Sequence, residues 1–178
     1  MKPISSESIL TFLNRLGARY TGQCAVYLLG GVALSLMGNP RVTQDLDYAV
    51  ELAEGAEKDF QAAIARLAHE MQIDVEEVRL GEFIPLPPGA WERRQPIGRF
   101  GQIEVYLFDP YSIALSKITR GFESDLEDVV FLLGEGLIDF AELEDHFEAV
   151  LPDALEADID PQEFRGYFEE VRRRVESR

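Results

Sequence analysis

Apolar residues recur along this chain with two periods, which predicts both helices and strands. In residues 5–20 and 56–71 they return every three or four positions, the spacing of an amphipathic helix. Residues 24–29 form a short apolar run that ends at a glycine pair, and residues 102–108 alternate between apolar and polar, as strands do. The pattern therefore predicts an α/β (α+β) fold, with a small mixed β-sheet flanked by helices.

The second part of the chain reads as helical. Residues 126–133 continue a helical pattern, and Asp139 and Asp160 are typical N-cap residues for two further helices. We therefore expect an α/β core over residues 1–122 and a helical C-terminal region over residues 123–178, packed on the core as a single compact unit.

A glycine pair follows the first predicted strand. Gly30 and Gly31 stand between that strand and residues 32–37, which predict a short helix. Glycines let the backbone approach a ligand closely, and the N–H groups at a helix N-terminus favour a phosphate. A plain strand-to-helix turn is the alternative.

Two aspartates share one face of the next predicted strand, residues 45–50. Because side chains alternate along a strand, Asp45 and Asp47 lie about 6.6 Å apart on the same face. Such carboxylates can bind Mg²⁺, which can activate an attacking hydroxyl and neutralise a transferring phosphoryl group. Solvated residues beside a turn are the alternative, but the glycine pair favours one local site for triphosphate and metal.

These residues resemble the sequence motif of the nucleotidyltransferase superfamily. That motif is an apolar residue, two small residues, a spacer, and then two acidic residues separated by one apolar residue. Residues 29–31 read Leu-Gly-Gly and residues 45–47 read Asp-Leu-Asp. The fuller patterns in residues 30–34 and 41–47 resemble the branch that contains AbiEii-type toxin nucleotidyltransferases and related bacterial proteins.

The resemblance implies an activity. Such an enzyme transfers a nucleoside monophosphate from a nucleoside triphosphate to an acceptor, here an unidentified protein, RNA or small molecule, with Mg²⁺ or Mn²⁺ as cofactor. The branch also implies a toxin role with an antitoxin partner. The nucleotide-binding residues it implies are Gly30, Gly31, Arg41, Thr43, Lys117 and Arg120. For Arg41 and Arg120, an ordinary surface position is the alternative.

Two downstream residues match the same branch. Lys117 lies in a predicted helix that begins after Asp109, and Asp125 follows shortly after it. The resemblance implies that Lys117 holds the triphosphate and that Asp125 positions a ligand or Lys117, which adds both to Asp45 and Asp47 as catalytic candidates. Alternatively, Lys117 points to solvent, and Asp125 complements the N-terminus of a helix capped by Ser124.

The superfamily usually carries a third carboxylate on a later strand. Glu104 is the acidic residue inside the strand predicted over residues 102–108, so the resemblance implies that it joins Asp45 and Asp47 as a metal ligand. A half-exposed strand glutamate without that role is the alternative.

Charge and composition limit the partners. The formal net charge is −16, with 33 acidic and 17 basic residues, which disfavours extensive binding of nucleic acid but not of a single nucleotide. The single cysteine, Cys24, excludes an internal disulfide and fits a cytoplasmic protein. No apolar run approaches the roughly 18 residues of a membrane span.

A proline-rich segment predicts a loop over residues 85–96. Its Trp91 either packs on the core or, with Arg93 or Arg94, lines the acceptor or base pocket.

Two other function classes are available. A catalytically inactive binding or interaction module with this fold is one of them. A dinucleotide-binding enzyme is disfavoured because neither of the glycine-rich patterns G-x-G-x-x-G and G-x-x-x-x-G-K-[ST] occurs.

Overall fold

The computed structural model describes residues 4–82 and 84–177. Its strands are β1 (Cys24–Leu28), β2 (Asp45–Leu52), β3 (Asp74–Glu77), β4 (Gln95–Phe100) and β5 (Ile103–Leu107). Its α-helices are α1 (Ser6–Arg19), α2 (Gly30–Leu36), α3 (Glu57–Met71), α4 (Pro110–Arg120), α5 (Glu123–Gly134), α6 (Phe140–Val150) and α7 (Pro161–Glu176). A 3₁₀ helix, Leu151–Ala157, follows α6. The predicted strands at residues 24–29, 45–50 and 102–108 are confirmed within one or two residues.

The five strands form one mixed sheet in the order β3-β2-β1-β5-β4. The central strand β1 is antiparallel to β2 and parallel to β5. On the outer sides, β3 is parallel to β2 and β4 is antiparallel to β5. The predicted fold class, a mixed sheet with flanking helices, is confirmed.

The chain divides into two compact units. The first contains the residues up to Val78 together with Gln95–Phe108, and so holds the whole sheet and α1 to α3. The second combines Arg79–Arg94 with Asp109–Arg178 and holds α4 to α7.

The core of the first unit is aromatic where α3 meets β2. Tyr48 is 1% exposed, and its ring lies 6.1 Å from that of Phe60, which also makes an edge contact with Tyr20 at 5.2 Å. Burial raises the pKa of Tyr48 to about 12, so its hydroxyl stays neutral. The neighbours of Tyr48 in β2, Asp47 and Ala49, point to the opposite face of the sheet.

Two strands are missed by the hydrophobic pattern. The acidic segment Asp74–Glu77 forms β3, and residues 95–96 of the predicted loop belong to β4. Pro96 is tolerated because β4 is an edge strand, and the ladder is irregular between Pro96 and Gly98. The prediction of a loop over these last two residues was wrong.

Asp109 holds the start of α4 in the second unit. Its buried carboxylate accepts hydrogen bonds from the backbone N–H groups of Tyr111 and Ser112 at 3.2 and 3.1 Å, as the predicted N-cap requires. It also accepts two hydrogen bonds from Arg93, at 2.8 and 2.9 Å. Arg93 therefore ties the segment before β4 to α4, while Trp91 is 37% exposed.

Helix α5 begins earlier than the sequence predicts. Its N-cap is Phe122, without a side-chain hydrogen bond, and Ser124 lies inside the helix. The alternative in which Ser124 caps this helix was wrong, because the left-handed turn at Gly121 (φ 65°) ends α4 immediately before the next helix starts. The N-caps at Asp139 and Asp160 are confirmed by hydrogen bonds from Glu142 N and from Gln162 and Glu163 N.

Of the helices in residues 4–82 and 84–177, none combines the length and the apolar character needed to cross a membrane.

Candidate metal and nucleotide site

The site in the first unit is built where β1 ends and β2 begins. The β1–β2 ladder continues past Leu28, because the Leu29 N–H donates to the Asp47 carbonyl at 3.1 Å. Asp47 therefore lies level with the glycine turn that follows β1. The turn and the strand carrying the aspartates are neighbours, as predicted.

The glycine pair makes room for two side chains of the same chain. Gly30 has φ +54°, and a Cβ there would lie 1.9 Å from Asp47 Oδ2. At Gly31, a Cβ would lie 2.6 Å from Thr43 Oγ1. Both contacts are closer than real Cβ atoms allow, so any side chain at either glycine would displace Asp47 or Thr43. The approach of a phosphate to this turn stays a prediction.

Three carboxylates converge at this end of the sheet. Ligand oxygens of Asp45, Asp47 and Glu76 all lie within 4.8 Å of one another. Asp47 and Glu76 are direct partners across the parallel strands β2 and β3, which places them on the same face. Asp47 is half-buried and Glu76 is exposed. Oxygen donors of this kind match the preference of Mg²⁺ and Mn²⁺ for carboxylates and water.

Glu76 is the residue that the sequence reasoning missed. The segment Asp74–Glu77 has three acids and no apolar alternation, so it gives no strand signal of its own. The order of the elements could have indicated this strand, because a short segment follows a strand and a helix. A chain that leaves β2 through α3 and returns parallel to β2 can bring an acid at position 76 opposite Asp47.

Glu104 lies elsewhere on the sheet. It pairs with Ala25 near the start of β1, whereas Asp47 lies beyond the end of β1. The position of Glu104 along the sheet is therefore four residues, about 13 Å, from that of Asp47. Glu104 is exposed and accepts a hydrogen bond from the Tyr106 hydroxyl at 3.0 Å. The structure brings Glu76, rather than Glu104, to Asp45 and Asp47.

Arg41 and Thr43 lie in the segment just before β2, and they differ in burial. Arg41 is exposed, and its backbone N–H donates to Asn39 Oδ1 at 2.9 Å. Thr43 is 7% exposed, and its hydroxyl lies 3.0 Å from Asp45 Oδ1. Thr43 is thus in contact with the carboxylate cluster through its own side chain.

Lys117 and Asp125 form a buried ion network in the second unit. Lys117 is 5% exposed, and its ammonium lies 3.0 Å from Asp125 Oδ1 and 2.8 Å from Asp128 Oδ2. Both aspartates belong to α5 and are almost fully buried. Arg120, whose side chain is 58% exposed, donates to Asp125 at 2.9 Å. Lys117 therefore does not point to solvent, and its role towards a triphosphate stays a prediction.

The family of the chain is established by comparison. Residues 8–176 match the family described as "Nucleotidyltransferase of unknown function (DUF6036)", so the chain belongs to this family of nucleotidyltransferases. The predicted superfamily is confirmed. Comparison with curated proteins and with solved structures gave no match in either case.

Gly30→Ala tests the close packing of the turn on Asp47. We expect the left-handed backbone at this position to cost about 1–2 kcal/mol of unfolding free energy. The added Cβ also displaces the Asp47 carboxylate, so Mn²⁺ affinity should fall by about 10-fold or more, by analogy with disturbed ligand orientation. Urea unfolding and titration with Mn²⁺ measure the two effects. Native Mn²⁺ affinity in Gly30→Ala would show that Asp47 is not positioned by this glycine.

Proposed function

We propose that this chain is a metal-dependent nucleotidyltransferase that transfers a nucleoside monophosphate from a nucleoside triphosphate to an acceptor. The observation that carries the proposal is the convergence of Asp45, Asp47 and Glu76 within 4.8 Å, beside a glycine turn. Membership of a nucleotidyltransferase family supports the reaction class. A nucleophile of the acceptor attacks the α-phosphorus. The bond between the α-phosphorus and the oxygen that bridges to the β-phosphate breaks, and pyrophosphate leaves.

Asp45, Asp47 and Glu76 would hold the metal, and Mg²⁺ or Mn²⁺ fits their oxygen donors. When bound, such an ion neutralises charge on the phosphates and lowers the pKa of an attacking hydroxyl. In this proposal Glu76 takes the third ligand position that the resemblance had assigned to Glu104. Without a cation, three neighbouring carboxylates would repel a triphosphate, so nucleotide binding should depend on metal.

The glycine turn is proposed to face the phosphates. The N-cap of α2 is Leu29, which has no side-chain acceptor for the N–H groups of the first turn. Those N–H groups suit phosphate oxygens as ligands, while the space left by the missing Cβ atoms of Gly30 and Gly31 is taken by Asp47 and Thr43. Arg41, exposed on the approach to β2, is proposed as a further contact for the triphosphate.

The acceptor is proposed to be a protein or a small molecule. A net charge of −16 opposes contact with the many phosphates of a long RNA, although one nucleotide needs only a local site.

The resemblance of residues 30–34 and 41–47 to AbiEii-type toxins supports a finer proposal: the transfer inactivates a cellular target, and an antitoxin partner restrains it.

The proposal is tested by calorimetric titration of the native chain with ATP, GTP, CTP and UTP, in Mg²⁺ and in EDTA. We expect at least one triphosphate to bind in Mg²⁺ and to lose binding in EDTA. Triphosphates labelled at the α- or the γ-phosphate then identify the transferred group, and only the α-label should reach an acceptor. Failure of all four triphosphates to bind in Mg²⁺ would instead favour an inactive interaction module.

A further inference from the structure

Thr43 is buried beside the carboxylate cluster. Its side-chain oxygen lies 3.0 Å from Asp45 Oδ1 and 3.1 Å from the Asp45 carbonyl, and the residue is 7% exposed. Its own carbonyl accepts a hydrogen bond from the Ile4 N–H at 2.9 Å, which fixes the backbone at this point. The hydroxyl therefore donates towards a metal-ligand candidate from a buried, backbone-bonded residue.

Gly31 restricts where that hydroxyl can go. A Cβ at Gly31 would lie 2.6 Å from Thr43 Oγ1 and 2.9 Å from Thr43 Cβ, so the Thr43 side chain is pressed against the Gly31 Cα. Packing on one side and two oxygens of Asp45 on the other fix the position of the hydroxyl oxygen, whose single proton is shared between these two acceptors.

We propose that Thr43 is a positioning residue for the metal site: its hydroxyl holds Asp45 Oδ1, and Gly31 provides the space for it. The proposal rests on the function proposed above, because the ion is the one that Asp45, Asp47 and Glu76 would hold. A hydrogen bond to Oδ1 leaves Asp45 Oδ2 available to the ion and fixes the plane of the carboxylate. Such outer partners typically contribute 10- to 100-fold to metal affinity.

The substitution Thr43→Val tests the hydroxyl because it keeps the branched shape and removes the donor. We expect its Mn²⁺ affinity, measured by electron paramagnetic resonance, to fall about 10- to 100-fold. Thr43→Ser keeps the donor and should remain close to the native affinity. Urea unfolding of both variants checks that they are folded. The proposal is overturned if Thr43→Val binds Mn²⁺ as the native chain does, or if Thr43→Ser loses as much as Thr43→Val.

Gly31→Ala approaches the same contact from the other side. The added Cβ displaces the Thr43 hydroxyl without touching Asp45, so the loss of Mn²⁺ affinity should match that of Thr43→Val. Gly166→Ala is the control, since a Cβ at that exposed position in α7 would meet no atom within 4 Å apart from its chain neighbours and the backbone of its own helix. Native Mn²⁺ affinity in Gly31→Ala would overturn the role given to this glycine.

Different results would overturn the proposed function and the proposed role of Thr43. A native chain that binds no Mn²⁺ overturns the proposed function, and the role of Thr43 falls with it. A native chain whose Mn²⁺ binding is lost in Asp45→Asn but unchanged in Thr43→Val overturns only the role of Thr43.

Discussion

Asp47→Asn is expected to abolish metal-dependent triphosphate binding and transfer while the fold is kept. Asparagine has the shape of aspartate, so it preserves the contact with Gly30, but it removes the charge that a hard cation needs. Because Asp47 is proposed to contact the ion directly, we expect Mn²⁺ affinity to fall by more than the roughly 10- to 100-fold typical of outer partners. Titration with Mn²⁺ and the transfer assay measure these losses.

The neighbouring carboxylates give the matched comparisons for this result. Asp45→Asn should lose as much as Asp47→Asn, and Glu76→Gln should lose less because Glu76 is exposed and water can replace its carboxylate oxygen. Glu77→Gln makes the same change of charge on β3 but on the opposite face of the sheet, and should bind Mn²⁺ like the native chain. Equal losses in Glu77→Gln and Asp47→Asn would show that general acidity, rather than a site, attracts the ion.

Lys117→Met is expected to cause a large loss of stability in the second unit. The substitution leaves Asp125 and Asp128 buried without the ammonium that lies 3.0 and 2.8 Å from them. Removing one partner of a buried ion pair typically costs about 3–5 kcal/mol, because the buried carboxylates stay desolvated and lose the buried cation that contacts them. Urea unfolding measures the change in the free energy of unfolding.

Arg120→Met is the control for Lys117→Met. Arg120 donates to the same carboxylate of Asp125, but its side chain is 58% exposed and Asp125 keeps the Lys117 ammonium, so the loss of Arg120 should cost clearly less than the loss of Lys117. Replacing Lys117, Asp125 and Asp128 together by apolar residues should recover much of the stability. Similar stabilities of Lys117→Met and Arg120→Met would contradict a structural role for the buried lysine.

The first half of the site was predictable because its signals are local. A strand-length apolar run before Gly30, and two aspartates with the alternation of a strand, fix the turn and the shared face of Asp45 and Asp47. The placement of these acids beside the turn followed from the short return between β1 and β2.

The remaining contacts depend on tertiary pairing that no local pattern contains. Glu76 joins the cluster only through the register of β3 on β2, and β3 itself has too little hydrophobic pattern to be seen. The register of β5 likewise keeps Glu104 far along the sheet from Asp47. Lys117 is buried because two aspartates of the following helix compensate its charge, which overrides the usual preference of lysine for solvent.

The most direct test of the metal site is a crystal of the native chain soaked in Mn²⁺ and measured at the manganese absorption edge. We predict an anomalous peak at about 2.0–2.2 Å from carboxylate oxygens of Asp45, Asp47 and Glu76, close to the bond length of hard divalent cations of this size. A saturating soak that leaves these three carboxylates without a peak, or that places the ion on other residues, would contradict the account.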